Sequence, residues 1–158
     1  MEGRGKRAVC SDGTFGDIAL TDLPIVLDHD RAVGWDYTNQ GCEESSSGTD
    51  GTVVICPYLF ENDWMRALDL EPVPGSHEIL VTQGQIQFVR EIDIVSPQSN
   101  GIGVAYRAFR TWVNANHPDD IATMFGSGDQ ILRNPGSIPL YEQCTDEFVA
   151  ASTSSTSP

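Results

Sequence analysis

An α+β fold, with antiparallel hairpins first and helices last, is what this chain predicts, and three observations predict it. Residues 77–82 and 85–94 are two runs of alternating apolar and polar side chains on either side of Gln83-Gly84. A two-residue turn with a glycine between such runs is a hairpin signature. Beyond Pro97 the period changes, because Val104, Phe109, Trp112 and Val113 suit one face of a helix. Finally, 158 residues with 39% hydrophobic and 20% charged side chains suffice for one domain with a contiguous core and exclude collagenous and coiled-coil classes.

Residues 1–16 carry no helical or alternating apolar pattern and read as a flexible arm, so the domain is expected over 17–151. Asp22, followed by Leu23 and Pro24, predicts a helix entered through an N-cap and a first-turn proline and ended by Gly34. A strand is expected over 35–42, a turn-rich linker over 43–51, and a return strand over 52–60 that is apolar on both faces. Pro57 in that strand points to an edge position or a bulge. Trp64, Ala67 and Leu68 predict a short helix before Pro72 and Pro74, and His117-Pro118 predicts the start of another over 119–125. Ser137 is placed as the N-cap of a last helix presenting Leu140, Cys144 and Phe148, with Tyr141 an optional fourth, followed by a frayed Ser/Thr tail over 152–158.

Charge narrows the partners. Asp and Glu number 23 against 9 Lys and Arg, for a net charge of -14. Such an excess repels phosphate backbones and anionic bilayers, so neither nucleic acid nor membrane is expected as a partner. The basic start lacks an apolar segment after it, which predicts a cytoplasmic protein with reduced thiols at Cys10, Cys42, Cys56 and Cys144. If the hairpin around Thr49 is regular, however, Cys42 faces Cys56, since their numbers sum to 98 as do those of Glu44 and Val54. Phosphate-binding loops, dinucleotide fingerprints and His-Glu-x-x-His are absent, and no cofactor is predicted. Asp28-His29-Asp30 has metal-ligand residue types, but consecutive residues of a helix diverge, so no metal site is assigned.

Gly34-Trp35, Cys42-Glu43-Glu44, the run 50–56, Glu61-Asn62-Asp63-Trp64, Gly84-Gln85-Ile86 and Ser96-Pro97-Gln98 occur in that order, followed by Trp112-Val113, His117-Pro118-Asp119-Asp120, Tyr141-Glu142-Gln143 and Glu147-Phe148-Val149. The series resembles the SnoaL-like branch of the nuclear transport factor 2-like superfamily over about residues 22–151. The resemblance implies a strongly curved, mostly antiparallel sheet forming a cone around a pocket. It also implies isomerase, cyclase or hydrolase chemistry on a small, largely apolar molecule, and homodimers. The chain departs from the pattern in its arm, which has no counterpart of the N-terminal helices that cover the pocket in such proteins.

Facing partners around Gln83-Gly84 should sum to 167, which places Ile79 opposite Phe88 and His77 opposite Arg90 on one face. With that face toward a pocket, Arg90 and His77 become candidate catalytic groups and Phe88 and Ile79 candidate ligand contacts. At the sheet's open end the pair would instead be structural, with Arg90 salt-bridged to Asp63 or Glu61. Tyr58 and Phe60 share a strand face and are further ligand contacts, with Asp63 beyond them as a third candidate catalytic group whose pKa aromatic surroundings would raise. Asp63 could equally cap the Trp64 helix. Against the pocket reading stand a noncatalytic homodimeric module, with Trp112 and Phe109 as candidate contacts, and an inactive, abbreviated family member.

Overall fold

The computed structural model describes residues 14–15, 18–19, 23–49, 51–92, 101–127 and 130–154. Of the arm expected over 1–16 all but residues 14–15 lies outside them, as do the Asp22 cap and the last residues of the tail. Two short strands, β1 (Thr14–Phe15) and β2 (Ile18–Ala19), pair antiparallel. The remainder divides into two compact units, one of strands (Tyr37–Phe60 and Pro74–Val95) and one of helices (Pro24–Asp36, Glu61–Val73 and Ser96–Pro158). The α+β class is therefore observed, with an open five-stranded antiparallel sheet.

In the sheet unit, β3 (Asp36–Asn39) and β4 (Glu43–Gly48) both pair with β5 (Gly51–Glu61), which is followed in the sheet by β6 (Val73–Thr82) and β7 (Gln85–Ile92). The turn-rich linker of the sequence reading is thus itself a strand, fully exposed, and only Thr49 and Asp50 separate β4 from β5. Pro57 lies inside the sheet, where its missing N–H falls at the break between β3 and β4 and its carbonyl accepts from Gln40 N at 2.9 Å. Of the two faces of β5, the one carrying Cys56, Tyr58 and Phe60 is buried, whereas Pro57 on the other is exposed. Val53, Ile55 and Leu59 on that second face are half-buried, so the expectation that both faces are covered holds there only in part.

The sum of 98 holds at Glu44↔Val54, and Cys42 and Cys56 lie opposite one another with Cα atoms 4.2 Å apart. They are joined as a disulfide, which corrects the expectation of reduced thiols at these two positions. A bulge at Ser45 offsets the turn end of the same hairpin by one residue.

The β6–β7 hairpin carries a second bulge, and this one changes the site. Val81 faces Ile86 as the sum of 167 requires, but Leu80 faces Phe88, so Gln87 is an extra residue in β7. From there on Ile79 pairs with Val89, Glu78 with Arg90, and His77 with Glu91. Because side chains alternate with period two, this slip moves Arg90 and Phe88 to the face opposite His77 and Ile79. The turn itself is as expected, with positive φ at Gln83 (53°) and Gly84 (75°) matching the twist of the strands.

The helical unit comprises α1 (Leu23–Ala32), α2 (Asp63–Ala67), α3 (Gly101–Asn116), α4 (Ile121–Met124) and α5 (Ile138–Ser154). Gly34, at φ +64°, ends α1 as predicted; a Cβ there would lie 2.1 Å from Asp63 Oδ2, so two demands require glycine. On α3 the buried positions Ala105, Phe109 and Val113 recur every four residues, while Val104, expected on this face, is exposed. On α5 the buried set is Tyr141, Cys144, Thr145 and Phe148. Phe109 is the hub: it stacks on Trp64 with centroids 4.2 Å apart and meets Phe148 edge-on at 5.6 Å. Being fully buried, it is not an interface contact, and Trp112 is half-buried against Phe148 and His117. Ser137 sits just ahead of α5 with its hydroxyl turned back to Leu132 O at 2.7 Å, and the helix runs through Ser154, past the expected end of the domain at 151.

Candidate functional site

On the buried face of the sheet, three titratable side chains converge. Tyr58 of β5 donates its hydroxyl to Glu91 Oε1 at 3.2 Å, and His77 Nε2 lies 4.0 Å from the same oxygen. The Tyr58 ring and the His77 imidazole are tilted together with centroids 4.5 Å apart. This closeness has a backbone cause: Gly75 lies beneath the Tyr58 ring, and a Cβ there would come within 2.6 Å of its Cζ and hydroxyl. Phe60 and Tyr37 extend the aromatic surface, with Tyr37 5.4 Å from Tyr58 and stacked on Phe60 at 6.0 Å. Ile79, paired with Val89, continues the face beyond His77.

The electrostatics set the protonation states. Burial raises the Tyr58 phenol well above its ordinary pKa, and the Glu91 charge raises it further, so the hydroxyl keeps its proton and stays a donor. Burial lowers the His77 pKa, with Glu91 opposing the shift. A neutral imidazole, a neutral phenol and a carboxylate are thereby held on one half-buried surface. The histidine can accept a proton while the phenol donates a hydrogen bond, a set capable of general acid–base work.

The sequence-expected group is only partly assembled. Tyr58, Phe60, Ile79 and His77 share this face. Arg90 does not: its guanidinium pairs with Glu78 at 2.7 Å on the opposite face, with Phe88, and neither Asp63 nor Glu61 is its partner. Asp63 belongs to the helical unit, where it and Glu61 hold Arg66 at 2.6 and 3.1 Å. It does not cap α2 either, since Asn62 does so by accepting from Met65 N at 3.0 Å. Glu91, Gly75 and Tyr37 were missed in the sequence. Glu91 would have been found by allowing one bulge in the hairpin, and Gly75 by treating a glycine inside a strand as a point of close approach.

The residues considered for a metal are held otherwise. Asp28 pairs with Arg31 at 3.3 Å on the exposed side of α1, and His29 is buried against Tyr141. Among the described residues no cluster of three His, Cys, Asp or Glu is arranged around a common point. Cys144 is buried and its thiol is pushed up to about 11, by burial first and by the charges of Asp120 and Glu147 after it, which makes it a poor nucleophile. Among the described residues no helix is long and apolar enough to cross a membrane. The chain matches no protein-family model, no curated protein and no solved structure.

Proposed function

We propose that this chain binds a small, largely apolar molecule on the sheet face bearing Tyr58, His77 and Glu91, and that it is a SnoaL-like protein whose sheet supplies one wall of a pocket. The observation that carries the reading is the convergence of Tyr58 and His77 on one Glu91 oxygen beside the aromatic surface of Tyr37 and Phe60. Polar groups gathered at an apolar wall orient a ligand. Proton transfer through His77, with the Tyr58 hydroxyl turning from Glu91 to donate to the ligand, is the chemistry proposed, of the isomerase, cyclase or hydrolase kind. The cone-like curvature of the sheet belongs to the same proposal and rests on the resemblance of the sequence strings alone.

Homodimerisation is a further part of it and rests on the resemblance of the sequence strings alone. The cytoplasmic location expected from the N-terminus is disfavoured by the Cys42–Cys56 bond, since such bonds persist mainly in oxidising compartments. Native mass spectrometry of protein purified from its own host tests the binding reading. A small molecule retained by the parent chain and lost from Tyr58→Ala and His77→Ala, with both variants folded, is the expected result. A bare chain mass in every preparation, or a ligand retained equally by both variants, counts against it.

A further inference from the structure

The helical unit contains a cavity of about 390 Å³ whose wall includes His29, Trp35, Trp64, Tyr106, Ile131 and Arg133. Most of that wall is flat aromatic or aliphatic surface. Its polar part is unusual. The His29 side chain is 1% exposed, yet its Nε2 has no hydrogen-bond partner among the described residues. A buried nitrogen left unpaired carries its full desolvation cost, and native interiors rarely tolerate one without a function.

The other ring nitrogen is contested. Arg133 Nε lies 3.5 Å from His29 Nδ1, and Asp30 Oδ1 lies 3.3 Å from the same atom. The guanidinium always carries its hydrogens, so the tautomer in which Arg133 donates to Nδ1 has the ring proton on Nε2, and an anion bound at Nε2 selects it over the tautomer in which Nδ1–H donates to Asp30. Arg133, an exposed residue of the same wall, makes no ion pair with a carboxylate among the described residues. An aromatic slot, a buried ring nitrogen without a partner and a guanidinium without a carboxylate together point to one ligand chemistry.

We propose that this cavity is a second binding site, for a small planar aromatic molecule bearing a carboxylate, its ring lying against Trp35, Trp64 and Tyr106 and its carboxylate taken by His29 and Arg133. Guanidinium and carboxylate are matched in geometry as well as charge. The site shares no residue with the Tyr58–His77–Glu91 face, so either can fail without the other.

Calorimetric titration of the full chain with 2-naphthoate, and with 2-naphthalenemethanol as the uncharged isostere, tests it. Saturable binding of the carboxylate is expected, weakened roughly ten-fold or more by Arg133→Gln and by His29→Phe, the loss expected for a hydrogen bond to a charged group. Phenylalanine keeps the ring against Tyr141, and circular dichroism checks that the variant is folded; Arg133 is exposed, so its variant carries the test if His29→Phe unfolds. The alcohol should bind at least ten-fold more weakly and be indifferent to Arg133→Gln. In the NMR spectrum the indole N–H signals of Trp35 and Trp64 should move on addition of 2-naphthoate while that of Trp112 stays. No saturable binding by the parent chain at millimolar 2-naphthoate, equal affinity for acid and alcohol, an unaltered affinity in Arg133→Gln, or a response confined to Trp112 would each overturn the proposal.

Discussion

The helical and sheet units are held together by different means. In the helical unit Phe109, Val113, Met65, Met124 and Tyr141 are each fully buried, and the rings of Trp64, Phe109 and Tyr141 pack together across α2, α3 and α5. In the sheet unit, taken from residue 74 onward in β6, the buried hydrophobic residues among those described are Cys56, Tyr58 and Phe60, all from one strand. What supplements that thin layer is a covalent bond from β5 to the residue preceding β4 and charged or hydrogen-bonded pairs between β5, β6 and β7. Where burial is shallow, titratable groups stay close enough to water to change protonation; where it is deep, they do not. The candidate acid–base cluster lies in the shallow unit, and Cys144 shows what the deep one does to a nucleophile.

The sharpest way to break this comparison is in the aromatic hub. Phe109→Ala should lower stability by about 3–5 kcal/mol, the usual cost of emptying a packed aromatic site. Chemical denaturation measures it, and a loss under about 1 kcal/mol would mean that the helical unit does not depend on its core. Next in size is the cross-link. Replacing Cys42 and Cys56 together by serine removes a bridge between residues 14 apart in sequence. The expected loss is about 3 kcal/mol on the chain-entropy estimate for a loop of this length. Amide exchange should accelerate in β4 and β5 and not in α3 or α5; uniform acceleration would show that the two units unfold as one.

A smaller effect is expected of Gly75→Ala, because the added carbon must displace the Tyr58 ring. Overpacking of this kind costs about 1–3 kcal/mol, read from the urea midpoint. A neutral result would show that the ring has room to move, and with it the hydrogen bond to Glu91. The least costly test is a titration. Burial sets the His77 pKa below its ordinary value, so between the two values the folded chain binds fewer protons than the unfolded one. The stability at stake is complete above the unfolded value of about 6.5 and is lost on acidification from there through the lower folded value. NMR of the His77 ring should give a midpoint below about 6.5, and Glu91→Gln, by removing the opposing charge, should lower it further. A midpoint that rises in this variant would refute the assigned electrostatics.

Much of the fold was legible because the relevant signals are local. The Gln83-Gly84 turn, the glycine stop at Gly34, and the spacing of Tyr141, Cys144 and Phe148 each follow from a few adjacent residues. The site was legible only in part. Tyr58 and Phe60 were read on one face of their strand and His77 and Ile79 on one face of the hairpin, without the contact between the two pairs, and Arg90 was added to the hairpin face by extending a regular register through Gln87. Nothing in residues 85–91 announces a bulge there, since Gln87 is neither glycine nor proline. Asp63 illustrates a different limit: whether a carboxylate near a helix start caps it, pairs with Arg66 or faces a ligand depends on the competing Asn62 beside it and on Gly34, far away in sequence.

The extra residue in β7 also bears on how this hairpin can change by insertion and deletion. Between the turn and the pair formed by His77 and Glu91, β7 contains one residue more than β6. Losing a codon from this stretch of β7 can be absorbed by straightening the strand, with the carboxylate still across from the histidine. Losing one from β6, or gaining one in β7, leaves no such slack and forces a slide that sets a neighbouring side chain opposite His77. The hairpin therefore has a preferred direction of length change: it can shed a residue on one side and keep its chemistry, and on the other a single codon replaces the group facing the imidazole.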